Sequence, residues 1–508
     1  MRGIHNNIGD IRRKVFAAVA KMAYDGNYSK MRELPFDILP GEDATYRDSI
    51  FVERAIVSER VRLACGLPLR SLDDYAPTDA GIEESAIAEK YYTPPLVNII
   101  KFACNACPEK RVVVTNMCQG CLAHPCVEVC PKSAVSIVDG HSQIDQDKCI
   151  KCGKCIDACE YNAIIKQERP CARSCGMNAI SSDDHGRAEI DYDKCVSCGM
   201  CMANCPFGAI ADKSQLLQVC TSIRKGDKLT AIIAPAFVSQ FGAALSPEKL
   251  PAAMRALGFQ AVKEVAIGAD LCTIDEAADF LEKVPEQLPF MATSCCPAWS
   301  VMVKKLFPTL RDTISMALTP MVLTARMVKR KYPDHKICFI GPCAAKKLEA
   351  MRRSIRSDVD FVLTYEELAG MFDAKNVDFS ALEPSPEDHF GKGTAAGRGF
   401  AVSGGVANAV VDLIKKEHPD MDIKIASAQG LNECRKMMML AKAGKYNGYL
   451  LEGMGCPGGC VGGAGTITAF NRAATAVGKY KNEADKKVAD ETEYADYLEL
   501  LLEMNDDD

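Results

Sequence analysis

The chain has 508 residues, with 61 lysines and arginines against 67 aspartates and glutamates, a net charge of -6. That length predicts roughly two to four domains with a large core, and the charge gives no support for nucleic-acid binding. No run approaches the roughly 18 apolar residues of a membrane span, and the opening MRGIHNNIGDIRRKVF has no long apolar stretch and no twin-arginine signal, so no secretory signal is expected.

Residues 1–95 carry helical patterning. IRRKVFAAVAKMAY and FVERAIVSERVRLACGL place apolar residues at helical spacing, and Pro35, Pro40, Pro68 and Pro77 interrupt them. No chemistry is evident there, so a helical cap or docking region is expected. Residues 96–220 form a cysteine-rich block with short β-like pieces (AVSIV, QID, AEIDY). Residues 221–480 alternate strand-like runs (LTAIIAP, VKEVAIG, PFMATS, HKICFIG, VDFVLT, IKIASA, YNGYLLE) with helical ones such as PEKLPAAMRAL, TIDEAADFLEKV and ANAVVDLIKKE. The expected fold is therefore an α/β domain with largely parallel sheets, an α+β ferredoxin-like multi-cluster domain and a helical N-terminal segment. Residues 370–400 read as a long loop. Residues 481–508 read as a charged, solvated tail ending in Asp506-Asp507-Asp508.

Twenty-six cysteines in a large chain, bunched as C-x-x-C repeats, point to metal ligation in a reducing compartment rather than to disulfides. Cys65, Cys220, Cys272, Cys338 and Cys434 stand alone and read as buried thiols. Cys149-x2-Cys152-x2-Cys155-x3-Cys159 and Cys195-x2-Cys198-x2-Cys201-x3-Cys205-Pro206 match the bacterial ferredoxin run, in which the fourth cysteine ligates the neighbouring cluster. A zinc ribbon needs only pairs. Cys118-x2-Cys121-x4-Cys126-x3-Cys130-Pro131 is a looser run. By the ferredoxin exchange, Cys118, Cys121, Cys126 and Cys159 hold one cubane, and Cys149, Cys152, Cys155 and Cys130 a second. Cys195, Cys198 and Cys201 take Cys175, from the short Cys171-x3-Cys175 run. Cys104, Cys107, Cys171 and Cys205 remain, enough for a fourth, so three or four accessory 4Fe–4S clusters are expected.

Three further motifs lie far apart in the C-terminal half. They are Thr293-Ser294-Cys295-Cys296-Pro297, Gly341-Pro342-Cys343-Ala344-Ala345-Lys346, and Gly453-Met454-Gly455-Cys456-Pro457-Gly458-Gly459-Cys460. Each follows an apolar strand, and the strand ends are expected to share one sheet edge, where α/β folds place their sites. Gly453-x-Gly455-x-x-Gly458 also fits the dinucleotide G-x-G-x-x-G pattern, but cysteines interrupt it and no acidic residue stands about 20 positions on.

In order and content the three motifs resemble those of the iron-only (FeFe) hydrogenases over roughly residues 229–470. The departures point to a divergent, group B-like subgroup of that family. The resemblance implies an H-cluster, a 4Fe–4S cubane joined through a cysteine sulfur to a two-iron unit bearing CO, cyanide and a bridging dithiolate amine. By motif position Cys296, Cys343 and Cys456 hold the cubane, and Cys460 binds it and bridges to the two-iron unit. Cys295 is the neighbouring cysteine that passes protons. Glu276, Ser315 and Asp279 match the outward relay, with Asp279 standing in for an outer glutamate. Lys346 matches the lysine at one cyanide, Ala234 and Pro235 the backbone near the other, and Met454 a methionine beside the two-iron unit. Gly341 replaces a methionine and Ala236 a serine of familiar members.

The implied activity is reversible proton reduction and hydrogen oxidation. H2 and protons are the substrates, ferredoxin the electron partner and hydrogenase maturation proteins the assemblers, in the cytoplasm, with neither nucleic acid nor membrane as partner. A non-catalytic relative that assembles iron–sulfur proteins and a hydrogen sensor are the competing readings. Retention of Cys295 and the long relay weighs against the first, and the lack of a PAS-like or kinase segment against the second.

Overall fold

The seven apolar runs of the C-terminal half all become strands in the computed structural model, which describes residues 3–384 and 392–503. They do not share one sheet edge, as the sequence suggested. Four form a parallel sheet in the order Ala261–Glu264, Leu229–Ile233, Lys336–Gly341, Phe361–Thr364. Three form a second parallel sheet in the order Met291–Ala292, Tyr449–Met454, Lys424–Gln429. The first sheet is apolar on both faces. Ala231, Ile233, Cys338 and Ile340 enter one core cluster while Ile232, Ile337 and Phe339 enter another, the period-two signature of a sheet covered by helices on both sides. The C-terminal strand ends of both sheets point at the same region, so the site lies between sheets rather than along one.

Two local readings change. VKEVAIG stops being strand at Glu264, and Ala266 begins a helix to Lys283. The supposed loop 370–400 contains the end of a helix, Tyr365–Ala374, opened by a Thr364/Glu367 capping box, and a short helix, Ala395–Gly399; residues 385–391 lie outside the described residues. Charged and glycine-rich composition hid both.

The N-terminal region is built into the main core. The helix Asn7–Asp25, capped by the Asn6 side chain, buries Val15, Phe16, Val19 and Ala23 against the Leu216–Lys225 and Tyr365–Ala374 helices. Gly370 allows the close crossing, since a Cβ there would sit 2.4 Å from the Phe16 Cβ. The segment beyond 480 is likewise not a loose tail among the described residues. Ala489 and Leu501 are buried, and the Leu501 carbonyl accepts from Arg326 Nη1 at 2.8 Å. Asp506, Asp507 and Asp508 lie outside the described residues. Among the described residues no helix is long and apolar enough to cross a membrane.

The cysteine block contains four two-stranded antiparallel ribbons. Val97–Ile99 pairs with Ile210–Asp212, Arg111–Val114 with Ile164–Gln167, Val135–Val138 with His141–Ile144, and Ile180–Ser182 with Ala188–Ile190. A buried ion triad ties this block to the C-terminal half. Lys347 Nζ lies 2.7 Å from both Asp212 and Glu367, with all three side chains at most 5% exposed. Lys347 also fixes the loop carrying Cys343. Truncating one member of such a group leaves uncompensated charge in the interior. Lys347→Met should lower stability by about 3–5 kcal/mol, read as a fall in the thermal midpoint of the cluster-loaded protein. An unchanged midpoint would mean that the triad does not join the two parts.

Candidate metal centre

Each strand end delivers its cysteine through a loop stiffened by proline or glycine. After Met291–Ala292, the Trp299 indole N–H donates to the Thr293 carbonyl at 3.1 Å, holding the Thr293–Cys296 turn. The helix Pro297–Leu306 then starts directly after Cys296, with proline in its first turn. Gly453, at the end of the Tyr449–Met454 strand, is where the second loop crosses that indole; a Cβ there would lie 2.1 Å from the Trp299 ring. Gly459, with φ 91°, turns the chain between Cys456 and Cys460 into a backbone region open to glycine. Cys343 leaves the four-stranded sheet through Pro342 into the short helix Ala345–Glu349.

These loops ring one cavity of about 90 Å³. Cys295, Cys296, Cys343, Cys456 and Cys460 line it, with Ala234, Pro235, Lys346 and Met454 and an apolar wall that includes Phe339 and Phe400. All nine cavity residues expected from the sequence are thus brought together. The cysteines border the cavity yet lie deep in the protein, and burial pushes their thiols up. Cys343 rises to about 11, with Cys296 adding to the effect, while Cys456 and Cys460 rise well above the ordinary thiol range. Cys296 is raised less steeply, because the N–H groups of Trp299 and Gly455 and the Lys346 charge oppose burial; the Gly455 N–H stands 3.3 Å from its Sγ. Among the described residues no three potential ligands stand close enough to share a single ion.

Two polar groups have unused capacity. Lys346 Nζ is ion-paired with Glu349 Oε2 at 2.7 Å, which leaves the other donors of the ammonium for the cavity wall. Burial works to lower Lys346, but Glu349, Cys343 and Cys295 outweigh it and hold the ammonium charged. Glu276 is fully buried behind the Cys295 turn. Its Oε1 accepts from the Ser294 N–H (2.8 Å) and Oγ (3.1 Å), while Oε2 has no partner. Burial pushes Glu276 up to about 7, with Asp275 and Glu452 adding to the rise and Ser294 opposing it. Burial also raises Cys295 well above its usual range, and Glu276 adds to that.

Glu276, Ser315 and Asp279 stand outside the cavity. Ser294 Oγ also lies 3.0 Å from the Ala317 carbonyl, and Ala317 N–H donates to Ser315 Oγ at 3.1 Å, so Ser294 and Ala317 link Glu276 to Ser315. Asp279 is three residues from Glu276 on the same helix but pairs with Lys283 at 2.7 Å. Sequence reading passed over Ser294, Glu349 and Asp275, the last pushed up to about 6 by burial and by Asp279. Ser294 sits inside the Thr293–Cys296 motif, and Glu349 lies one helical turn after Lys346; those positions were the available signal. The five lone cysteines are buried, as expected. Cys272, one turn before Glu276, proves to be a close neighbour of Cys295.

In the cysteine block, Cys175, Cys195, Cys198 and Cys201 line one pocket. Burial raises Cys198 to about 12, with Cys175, Cys195 and Cys343 adding to it, and Cys198 acts in turn on Cys456. Cys171, pushed up to about 11 by burial, is also raised by Cys205 and Cys104, and Cys107 by burial, then Cys104 and Cys205. Cys155 is raised by burial and by Cys149, Cys130 and Cys152. Cys126 and Cys159 share a small core cluster, and the Ser142 N–H donates to Cys118 Sγ at 3.5 Å. Cys121 and Cys152 lie at the rim, Cys152 exposed.

Sulfur-lined pockets leading to a cysteine-ringed cavity define an iron–sulfur redox protein. Residues 227–464 match the iron only hydrogenase large subunit, C-terminal domain, and residues 117–164 and 148–209 match 4Fe-4S dicluster domains. Iron hydrogenase 1 of Clostridium pasteurianum is 30% identical over 387 residues, 66% of this chain and 67% of that protein. An NADP-reducing hydrogenase subunit of Solidesulfovibrio fructosivorans is 31% identical over 267 residues, 43% of this chain and 45% of that one. Cytosolic iron-sulfur assembly component 3 of Bos taurus is 24% identical over 271 residues, 44% and 57% of the two chains. Among solved structures, an apo [FeFe]-hydrogenase from Chlamydomonas reinhardtii has a TM-score of 0.45 at 22% identity, covering 54% of this chain and 89% of that one. The chain belongs to the iron-only hydrogenase family.

The raised Glu276 has a testable sign. Its folded value, about 7, lies above the ordinary 4.5. Its contribution to stability is therefore fully present below the unfolded value and lost as pH rises through 7. Glu276→Gln should remove that slope, so the variant should gain on the wild type as pH rises from about 4.5 to about 7 in paired melting curves. Parallel curves across that range would mean that Glu276 ionises normally.

Proposed function

We propose that this protein is a hydrogenase interconverting protons and hydrogen, with electrons relayed through its cysteine block to or from a ferredoxin-type carrier. The single observation that carries the proposal is the cavity. Four cysteines from three loops face one space, while a fifth, Cys295, faces it backed by a buried carboxyl. The donor set suits the family's cofactor: soft thiolates for iron, a charged lysine with spare donors for an anionic ligand, and apolar walls elsewhere.

On this reading Cys296, Cys343, Cys456 and Cys460 would hold the cubane, and Cys460 would also tie the two-iron unit to the protein. When bound, the H-cluster supplies the open iron position at which protons and hydrogen interconvert. Lys346 would hydrogen-bond one cyanide, the Ala234-Pro235 backbone would border the other, and Met454 with Phe339 and Phe400 would exclude water. Cys295 holds a proton at Sγ toward the cavity. Glu276, poised near neutrality, exchanges it on the far side, which is the pKa a general acid–base group needs. Ser315 and Asp279 carry it outward. The chain's similarity to an assembly component favours the non-catalytic reading as the alternative, and the two differ in whether the two-iron unit is bound.

Cys295→Ala should keep the cluster and its CO and cyanide infrared bands while hydrogen turnover falls by about 10²–10⁴-fold. Loss of iron instead would make Cys295 a ligand, and wild-type turnover would move the proton path elsewhere. Cys460→Ser should keep an iron–sulfur signal but lose the CO and cyanide bands, since this thiolate is the one protein bond proposed for the two-iron unit. Retained bands with full activity would overturn that assignment.

A further inference from the structure

Two segments of the cysteine block repeat the same order of elements. Between the paired strands Arg111–Val114 and Ile164–Gln167 lie a short helix, a hairpin and a second short helix. Between the paired strands Val97–Ile99 and Ile210–Asp212 the same order recurs, helix Pro170–Arg173, hairpin, helix Met200–Asn204, but the first strand is separated from its helix by the whole of the other unit.

The backbone repeats too. The residue before the second cysteine of the C-x2-C turn that opens each run has positive φ, at Ala106 (44°), Gly120 (57°), Lys151 (58°) and Ser197 (53°). The third residue after each closing cysteine does the same, at Ser133 (47°), Asn162 (51°), Asn178 (51°) and Gly208 (57°). A side chain held there costs about 1–2 kcal/mol, so the shared geometry reflects a shared demand. The N–H four residues after Cys130, Cys159 and Cys175 donates to that cysteine's sulfur at 3.2–3.4 Å in each case. Cys104 and Cys107, which precede both dicluster matches, have the turn of the other runs.

We infer that the block is one two-cluster ferredoxin inserted into the cysteine turn of another, and that Cys104, Cys107, Cys171 and Cys205 hold the accessory cubane at the junction. The inference rests on reading the block as cubane ligands, and not on hydrogenase activity. The insert has the anatomy of a guest domain. Its ends lie side by side, with Arg111 opposite Gln167 and Arg111 Nε donating to Gln167 Oε1 at 2.9 Å. It has a core of its own, Val112, Cys126, Val135, Cys155 and Ile164, whereas the host shares its core with Ile56, Leu63 and Ala464. Removing residues 108–168 would leave Cys107-Arg169-Pro170-Cys171, and the host would read C-x2-C-x2-C-x3-C, an unbroken ferredoxin run. Arg169 would keep its bonds to the Ser181 carbonyl (3.0 Å) and Ser182 Oγ (2.7 Å), which hold the host hairpin. The match over 148–209 joins runs that are neighbours in sequence but belong to different units in space. The host pair then lies next to the catalytic cysteines, and the guest pair, with Cys152 exposed, is the outward end of the relay.

The test deletes residues 108–168 and measures iron and electron paramagnetic resonance on protein made without the two-iron unit. Iron should fall from about twenty to about twelve per chain, with the host signals kept. If the adjacent runs shared ligands instead, the host clusters would lose theirs as well and iron would fall to about four. Should the deletion not fold, full-length variants decide. Cys104→Ala and Cys171→Ala should remove the same signal, with the double variant no worse than either single one, while Cys159→Ala removes a different signal. Cys104→Ala with full iron and all signals intact would overturn the inference.

Discussion

Four thiols turned toward one apolar cavity can ionise only where a cation sits among them. As ionised groups without a partner they would carry a large desolvation cost, and burial accordingly pushes each of them up toward the neutral thiol. Iron reverses that balance by taking the place of the protons. Much of the C-terminal fold meets this one constraint. Two sheets aim their strand ends at the same space, glycine and proline shape the loops, and Trp299 anchors the Cys295–Cys296 turn from below. Lys346, ion-paired with Glu349, presents its remaining donors at the wall.

The same constraint orders the cysteine block. Cys198 is close enough to Cys343 and Cys456 for their charges to act on one another, so the host cluster beside it adjoins the cavity. The Lys347 triad and the Arg60 donor to the Gly208 carbonyl pin the host unit to the rest of the protein. The guest unit, with a separate small core, hangs from two adjacent strand ends. The anchoring contacts thus gather at the end of the block beside the cavity.

Much of this was legible in the sequence, for local reasons. C-x2-C spacing is set within a single turn, and apolar runs of four to six residues are strands wherever they pair, so both could be read from one stretch of chain. What was hidden depends on distant partners. The division into two sheets follows from which strands align, and no single run encodes it. The nested unit was obscured because Cys107 and Cys171, which fall into one ferredoxin run once the guest is set aside, are separated by it in sequence. The helices ending at Ala374 and spanning Ala395–Gly399 were masked by charge and glycine. Gly341 looked like a lost side chain, but a Cβ there would come within 2.6 Å of the Phe339 ring, which occupies that side of the cavity wall. Ser294 and Glu349 act only through residues that folding brings to them.

Infrared spectroscopy of the wild-type protein, made together with hydrogenase maturation proteins, tests the central claim most directly. A two-iron unit seated on Cys460 gives CO and cyanide stretches in a region where protein is silent, with hydrogen evolution from a reduced carrier. Full iron–sulfur signals with no such bands and no hydrogen would contradict the account and leave a hydrogenase-like protein that serves the assembly of others.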